Sequence, residues 1–344
     1  MTYTAAQFLA GTGDGRLHMR KSFVVMMACG VAALLAATQV QTAGPRTPWG
    51  EPDIQGVWTS EPELGVPFER AARFGEREEL TDAEFAERET QASRQLQADN
   101  ADFELETAET ANAGAVGSAT SPPPHWLERG TPSRRTSIVI APRNGRIPPI
   151  TAAAKARPPA RGVSTNRNSA GPFNSWLDMG LYDRCITRGI PSAIFPAIYN
   201  ANTRIVQSPG YVAITYEMIH ETRLIPIGDV PPLPGVHRQY VGNARGHWEG
   251  DTLVVESSNY NEESGFRGAS GDAKLVERFT RVDEGTLRYE VTVNDPSTWT
   301  SPWTAALNMN TQPEGMFEYA CHEGNHAMRN ILSGARAAER NGSN

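Results

Sequence analysis

Tyr211-Val212-Ala213-Ile214-Thr215-Tyr216-Glu217-Met218-Ile219-His220-Glu221-Thr222-Arg223-Leu224-Ile225-Pro226-Ile227 is followed, beyond a crossing with Pro231, Pro232 and Pro234, by Gly246-His247-Trp248-Glu249-Gly250-Asp251-Thr252-Leu253-Val254-Val255-Glu256. Both runs are rich in β-branched and aromatic residues, so both are predicted as strands. A period of two sends Val212, Ile214, Tyr216, Met218, His220, Thr222 and Leu224 to one face. Thr215, Glu217, Glu221 and Arg223 then take the other. Taking the first face as inward places a phenol and an imidazole among apolar side chains. Tyr216, His220, Glu221 and Arg223 could serve one pocket only if a bulge at Met218 reset the register.

Further strand signals surround this stretch. Residues 205–207 lead through a Pro209-Gly210 turn into Tyr211. Residues 275–283 and 287–294 face each other across Asp283-Glu284-Gly285-Thr286, a hairpin signal. Residues 299–308 and 316–320 read as two more strands. Residues 327–340 read as a closing helix with Ile331, Leu332 and Ala335 on one side. Seven or more strands without intervening helices imply a mainly β fold. An antiparallel up-and-down barrel or a sandwich, resembling the calycins and lipocalins, is expected, with peripheral helices.

The earlier part of the chain differs in composition. In residues 1–43, Arg16, Arg20 and Lys21 precede an apolar run from Phe23 to Ala37 and a small-residue stretch ending at Ala43. That order is expected of a secretory signal peptide, and the apolar run is shorter than the roughly 20 residues of a membrane span. The mature chain is therefore expected to be periplasmic or secreted, with no transmembrane segment after cleavage. Residues 44–60 supply an entry strand. Residues 61–110 form an acidic helical segment: between Glu51 and Glu109 there are 17 acidic and 5 basic residues. Thr81-Asp82-Ala83-Glu84 resembles a capping box there. Residues 111–170 hold one Glu against nine Lys and Arg, with repeated Pro. They are expected to form a long disordered excursion whose basic charge lies against the acidic segment. Residues 171–344 are the β domain.

Over the whole chain the formal net charge is −7, and the basic segment has almost no aromatic side chains for stacking, so nucleic acid is not expected as a partner. Signal cleavage removes Cys29. In an oxidising compartment Cys185 and Cys321 are expected to form a disulfide, the alternative being two buried thiols.

Several motifs resemble those of a family of exported bacterial proteins, many described only as hypothetical. They are Glu221-Thr222-Arg223-Leu224-Ile225, the Gly246–Glu256 run quoted above, Val276-Glu277-Arg278-Phe279, Asp295-Pro296 through Pro302-Trp303, and Glu318-Tyr319-Ala320-Cys321-His322-Glu323-Gly324-Asn325. The resemblance covers roughly residues 181–334 and Gln55-Gly56-Val57-Trp58. It implies an exported β domain and carries over no catalytic residues.

His322-Glu323-Gly324-Asn325-His326 fits the H-E-x-x-H pattern, in which helical spacing puts two imidazoles on one face for zinc. His322 and His326 are the candidate metal ligands. Gly324 and Asn325 are poor helix residues, however, and a strand end followed by a helix cap explains the same letters. His220, His237, His247, His322 and His326 all fall in the β domain; if they converge, zinc or iron is implied, and otherwise no cofactor. Candidate acid–base residues are His220, His322 and Glu323. Candidate ligand-binding residues are Tyr216, His220, Arg223, His237, Tyr319 and Asn325. The expected function is binding of a small apolar or aromatic molecule inside the barrel. The alternatives are a lyase, isomerase or hydrolase on the same scaffold, and a structural envelope protein.

Overall fold

In strand β9 (Thr286–Asn294) Leu287, Tyr289, Val291 and Val293 are buried, while Arg288, Glu290 and Thr292 face outward. Such alternation recurs in most of the strands of this computed structural model, which describes residues 44–106, 127–158 and 173–342. The expected signal segment lies outside the described residues. In chain order the strands are β1 (Gly56–Thr59), β2 (Val139–Ala141), β3 (Asn202–Ser208), β4 (Tyr211–Tyr216), β5 (Thr222–Pro226), β6 (Asn243–Glu249), β7 (Thr252–Ser258), β8 (Lys274–Arg281), β9 and β10 (Trp303–Thr311). The helices are α1 (Asp82–Glu106), α2 (Ala152–Ala156) and α3 (Ala327–Arg340).

Nine strands follow the order β5-β4-β3-β1-β10-β9-β8-β7-β6, each pair antiparallel, and β2 adds to β10. The two end strands approach through a parallel bridge between Ile227 and Gly246, where the Gly228 amide donates to the Gly246 carbonyl at 2.9 Å. The result is a nearly closed barrel, the mainly β architecture expected. Gly246 lets the two strands meet closely, and a Cβ there would lie 2.5 Å from Ile227 Cδ1 and push that side chain aside. The Gly-His-Trp-Glu-Gly-Asp run is therefore mostly strand, with only Gly250-Asp251 left as the turn.

The run from Tyr211 is not one strand. It folds back at Glu217–His220, and Thr215 pairs with Thr222 and Ile214 with Arg223. Cross-strand partners share a face, and an even position now pairs with an odd one. Arg223 therefore turns inward beside Ile214, and His220 turns out. Ile219 and His220 take positive φ (70° and 47°) to make the reversal, an unfavourable conformation for β-branched Ile219. The expected inward His220 and outward Arg223 are thus both reversed.

The basic segment also departs from expectation. Residues 127–158 are ordered against the barrel, with Ile138 and Val139 buried and β2 paired to β10. The β domain accordingly recruits strands from well before residue 171. Their basic charge does lie on the acidic segment: Arg129 pairs with Asp99 and Arg134 with Asp82 on α1, and Arg135 with Glu63. Those contacts compensate for the thin apolar face of α1, and β2 gives the segment a sheet partner. Residues 316–320 form no strand but an irregular stretch leading to α3, whose bounds match the expected closing helix. Residues 107–126 and 159–172, the remainder of the expected excursion, lie outside the described residues.

Glu61 sits where the acidic and basic segments meet. Burial, then the shared hydrogen bond and charge of Glu128, push its carboxyl up to about 7. A carboxyl whose folded value exceeds its unfolded one stabilises the fold below the unfolded range, and that contribution is lost as pH rises through about 7. Glu61→Gln is expected to raise the melting temperature at about pH 8 by roughly 2–4 °C, corresponding to about 1 kcal/mol after solvent screening. Near pH 5 the substitution should change little. Thermal melts at both pH values check this, and an equal effect at the two would contradict it.

Candidate functional site

The barrel interior is filled. Arg223 and Glu277, 3% and 0% exposed, form a two-pronged ion pair at 3.1 and 2.7 Å. Arg223 also donates to the Tyr216 hydroxyl at 3.0 Å and to Ser257 Oγ at 3.1 Å, while the Tyr289 hydroxyl donates to Glu277 at 3.0 Å. Burial alone would depress the Arg223 guanidinium, but the charge of Glu277 more than offsets it and holds it well above its ordinary value. Burial likewise pushes the Tyr216 and Tyr289 phenols up. Trp58, Phe279 and Met309 close the remaining space. A gap bordered by Tyr260, Leu275 and Val293 holds only about 10 Å³. Tyr216 and Arg223, two expected ligand contacts, are thus committed to an internal network. All five described histidines are exposed, so the expected hollow lined by imidazole is not formed.

Several other expected residues do gather, at a surface cleft beside α3. Tyr319, Glu323 and Asn325 line a space of about 430 Å³ with Met179, Tyr182 and Met328. His322 lines an adjoining space of about 360 Å³, bordered by Trp176 and Arg184. The Cys185–Cys321 disulfide, with a Cα–Cα distance of 5.9 Å, fastens the chain between them, as expected. His220 approaches through its Nδ1, 3.0 Å from the Tyr319 carbonyl. The Tyr182 hydroxyl joins those of Tyr199 and Tyr319 at 3.0 and 2.8 Å.

The acid–base set is not assembled there. His220, His322 and Glu323 share no hydrogen bond among the described residues and are all exposed. The H-E-x-x-H pattern is a turn: Gly324 takes φ 66° and α3 begins only at Ala327, so the two imidazoles do not share a helical face. Asn325 Oδ1 instead accepts the Ala327 amide at 3.0 Å, the capping role the letters also allowed. Among the described residues no three His, Cys, Asp or Glu side chains are grouped to hold a metal. His237 lies in the Pro-rich crossing and His247 faces outward on β6 beside Glu249, both apart from the cleft.

A third space, of about 330 Å³, opens at a mouth of the barrel between three loops. Phe68, Phe195 and Phe266 wall it, with ring centroids 5.3 to 6.4 Å apart. Their rings continue the core: Phe195 lies 6.5 Å from Tyr289, and Phe68 and Phe266 lie 6.2 and 6.0 Å from Trp303. Arg188, Arg267, Ser192 and Glu63 complete the lining. None of these residues was singled out by strand periodicity, because they sit in irregular connections distant in sequence. Their signal was slight: three aromatic residues beside Pro or Gly, at Pro67-Phe68, Phe195-Pro196 and Gly265-Phe266.

No family model, curated protein or solved structure matches this chain.

The disulfide closes a separation of 136 residues. Cys185→Ser is expected to lower the free energy of unfolding by roughly 4–5 kcal/mol on the chain-entropy account. Exposed His220→Ala is expected to change it by less than about 1 kcal/mol. Urea titrations of the oxidised proteins measure both, and a Cys185→Ser midpoint equal to that of the parent would contradict the first.

Proposed function

We propose that this protein is an exported binding protein that holds one small apolar or aromatic molecule at the mouth of its barrel. The observation that carries the proposal is that three phenylalanines continuous with the core wall a space of about 330 Å³, two of them, Phe68 and Phe266, being only partly buried. The part of Phe68 and Phe266 left in contact with water favours an apolar occupant, and this volume lies at the lower end of the range for small-molecule sites. The buried ion pair leaves no comparable room between the strands, so the ligand sits on the packed interior rather than within it. Export is supported by the charged, apolar and small-residue order of residues 1–43 and by the disulfide, which persists in oxidising compartments. Finding the protein in the cytoplasm with residues 1–43 attached would contradict export.

Fluorescence titration with phenylnaphthylamine, a neutral aromatic probe, tests the binding site. One probe per chain is expected to bind. Ser192→Phe, which fills the mouth, should abolish binding without lowering the melting temperature, and Asn325→Ala in the other cleft should leave it intact. Absence of binding, or binding lost with Asn325→Ala but kept with Ser192→Phe, would overturn the assignment.

A further inference from the structure

We infer that the ligand of the mouth cavity carries an anionic group, as an aromatic carboxylic or sulfonic acid does, and that Arg188 and Arg267 recognise it. This rests on the binding reading above and adds the chemical class of the occupant.

Other enclosed arginines of this chain meet acceptors, Arg70 through the Arg143 carbonyl at 2.6 Å. Arg223 is paired with Glu277, and Arg135 with Glu63 and the Ala306 carbonyl. Arg188 and Arg267 are different. Neither guanidinium makes a hydrogen bond or ion pair with any described residue. Arg188 Nη1 is sealed from solvent with no acceptor. Arg267, held at φ 52°, lays its guanidinium over the Phe68 ring at 3.9 Å and near Phe266 at 5.6 Å. Stacking on an aromatic face leaves the in-plane N–H groups of a guanidinium free to donate.

The described carboxylates nearby make their hydrogen bonds to other groups, and only Glu69 has an oxygen left over. Glu63 lines the same space, but its Oε2 accepts from Arg135 at 2.8 Å and its Oε1 from the Asn308 amide at 3.1 Å. Glu69, the charge that acts on Arg267, accepts the Ile147 amide at 3.1 Å. The groups that act on Arg188 are the phenols of Tyr182, Tyr199 and Tyr319, which are uncharged near neutral pH. Burial works against both guanidiniums, depressing each below its ordinary value.

Two cations at an aromatic-walled cavity, hydrogen-bonded to no carboxylate among the described residues, leave N–H donors that a ligand anion meets. The walls narrow the class further. A bare inorganic anion would neutralise the arginines but leave Phe68 and Phe266 partly in water, whereas an aromatic acid satisfies both features at once. Orientation follows: rings against Phe68, Phe195 and Phe266, with the acid group toward Arg188 and Arg267.

Anilinonaphthalene sulfonate and phenylnaphthylamine share the same rings and differ by the sulfonate, so titrating the full-length mature protein with each isolates the charge. The sulfonate is expected to bind at a single site about tenfold more tightly or better, a ratio set by charge-assisted hydrogen bonding. Its advantage should shrink as salt is raised. Arg267→Gln and Arg188→Met should each remove most of that advantage and leave the neutral probe's affinity within about twofold, since the rings remain. Inorganic phosphate should compete weakly with the sulfonate and not at all with the neutral probe. Equal affinity for the two probes, or arginine variants that weaken both alike, would overturn the inference while leaving the binding reading intact. If neither probe binds, both fail. Should an arginine variant not fold, the probe ratio and its salt dependence in the unaltered protein still decide the matter.

Discussion

The ion pair between Arg223 and Glu277 governs the rest of this architecture. Two charges taken out of water demand hydrogen bonds, and here five strands supply all but that of the Arg223 Nε: Tyr216 from β4, Arg223 from β5, Ser257 from β7, Glu277 from β8 and Tyr289 from β9. Strands on both sides of the Ile227–Gly246 seam thereby become mutually dependent. The network also makes the interior solid. A barrel of this kind often encloses its ligand, but in this chain the open apolar space lies at the mouth, with Phe195 resting against Tyr289 of the same network.

Much of the fold was legible because it depends on local periodicity. Leu287, Tyr289, Val291 and Val293 alternate without interruption, and Asp283-Glu284-Gly285 supplies the turn that pairs β8 with β9. The closing helix was equally visible. The hairpin at Glu217–His220 was not, because its apolar residues Met218 and Ile219 continue a strand-like pattern through the reversal. Only positive φ at Ile219 and His220 breaks it, and β-branched sequence carries no hint of that conformation. One hidden turn inverted the faces of His220 and Arg223, and with them the expected site.

Other features are legible only in three dimensions. Ile138 and Val139 are a brief apolar interruption in a Pro- and Arg-rich segment, too short to announce a strand until β10 offers an edge. The opposite charges of the acidic and basic segments did foretell their contact, since Arg129, Arg134 and Arg135 each meet a carboxylate. The mouth cavity depends on Phe68, Phe195 and Phe266 arriving from separate loops. Its arginines are noteworthy for the partners they lack, a property that composition alone does not reveal.

The central claim is that the barrel is organised about a buried, bidentate internal ion pair rather than a ligand-filled hollow. A double-mutant cycle on Arg223 and Glu277, read by denaturant unfolding, tests it most directly. The account predicts that Arg223→Met and Glu277→Leu each cost about 3–5 kcal/mol, because each strands a buried charge, and that the double variant recovers a large part of that loss. Single substitutions that leave stability within about 0.5 kcal/mol, with no coupling between them, would place these side chains in contact with water and contradict the account.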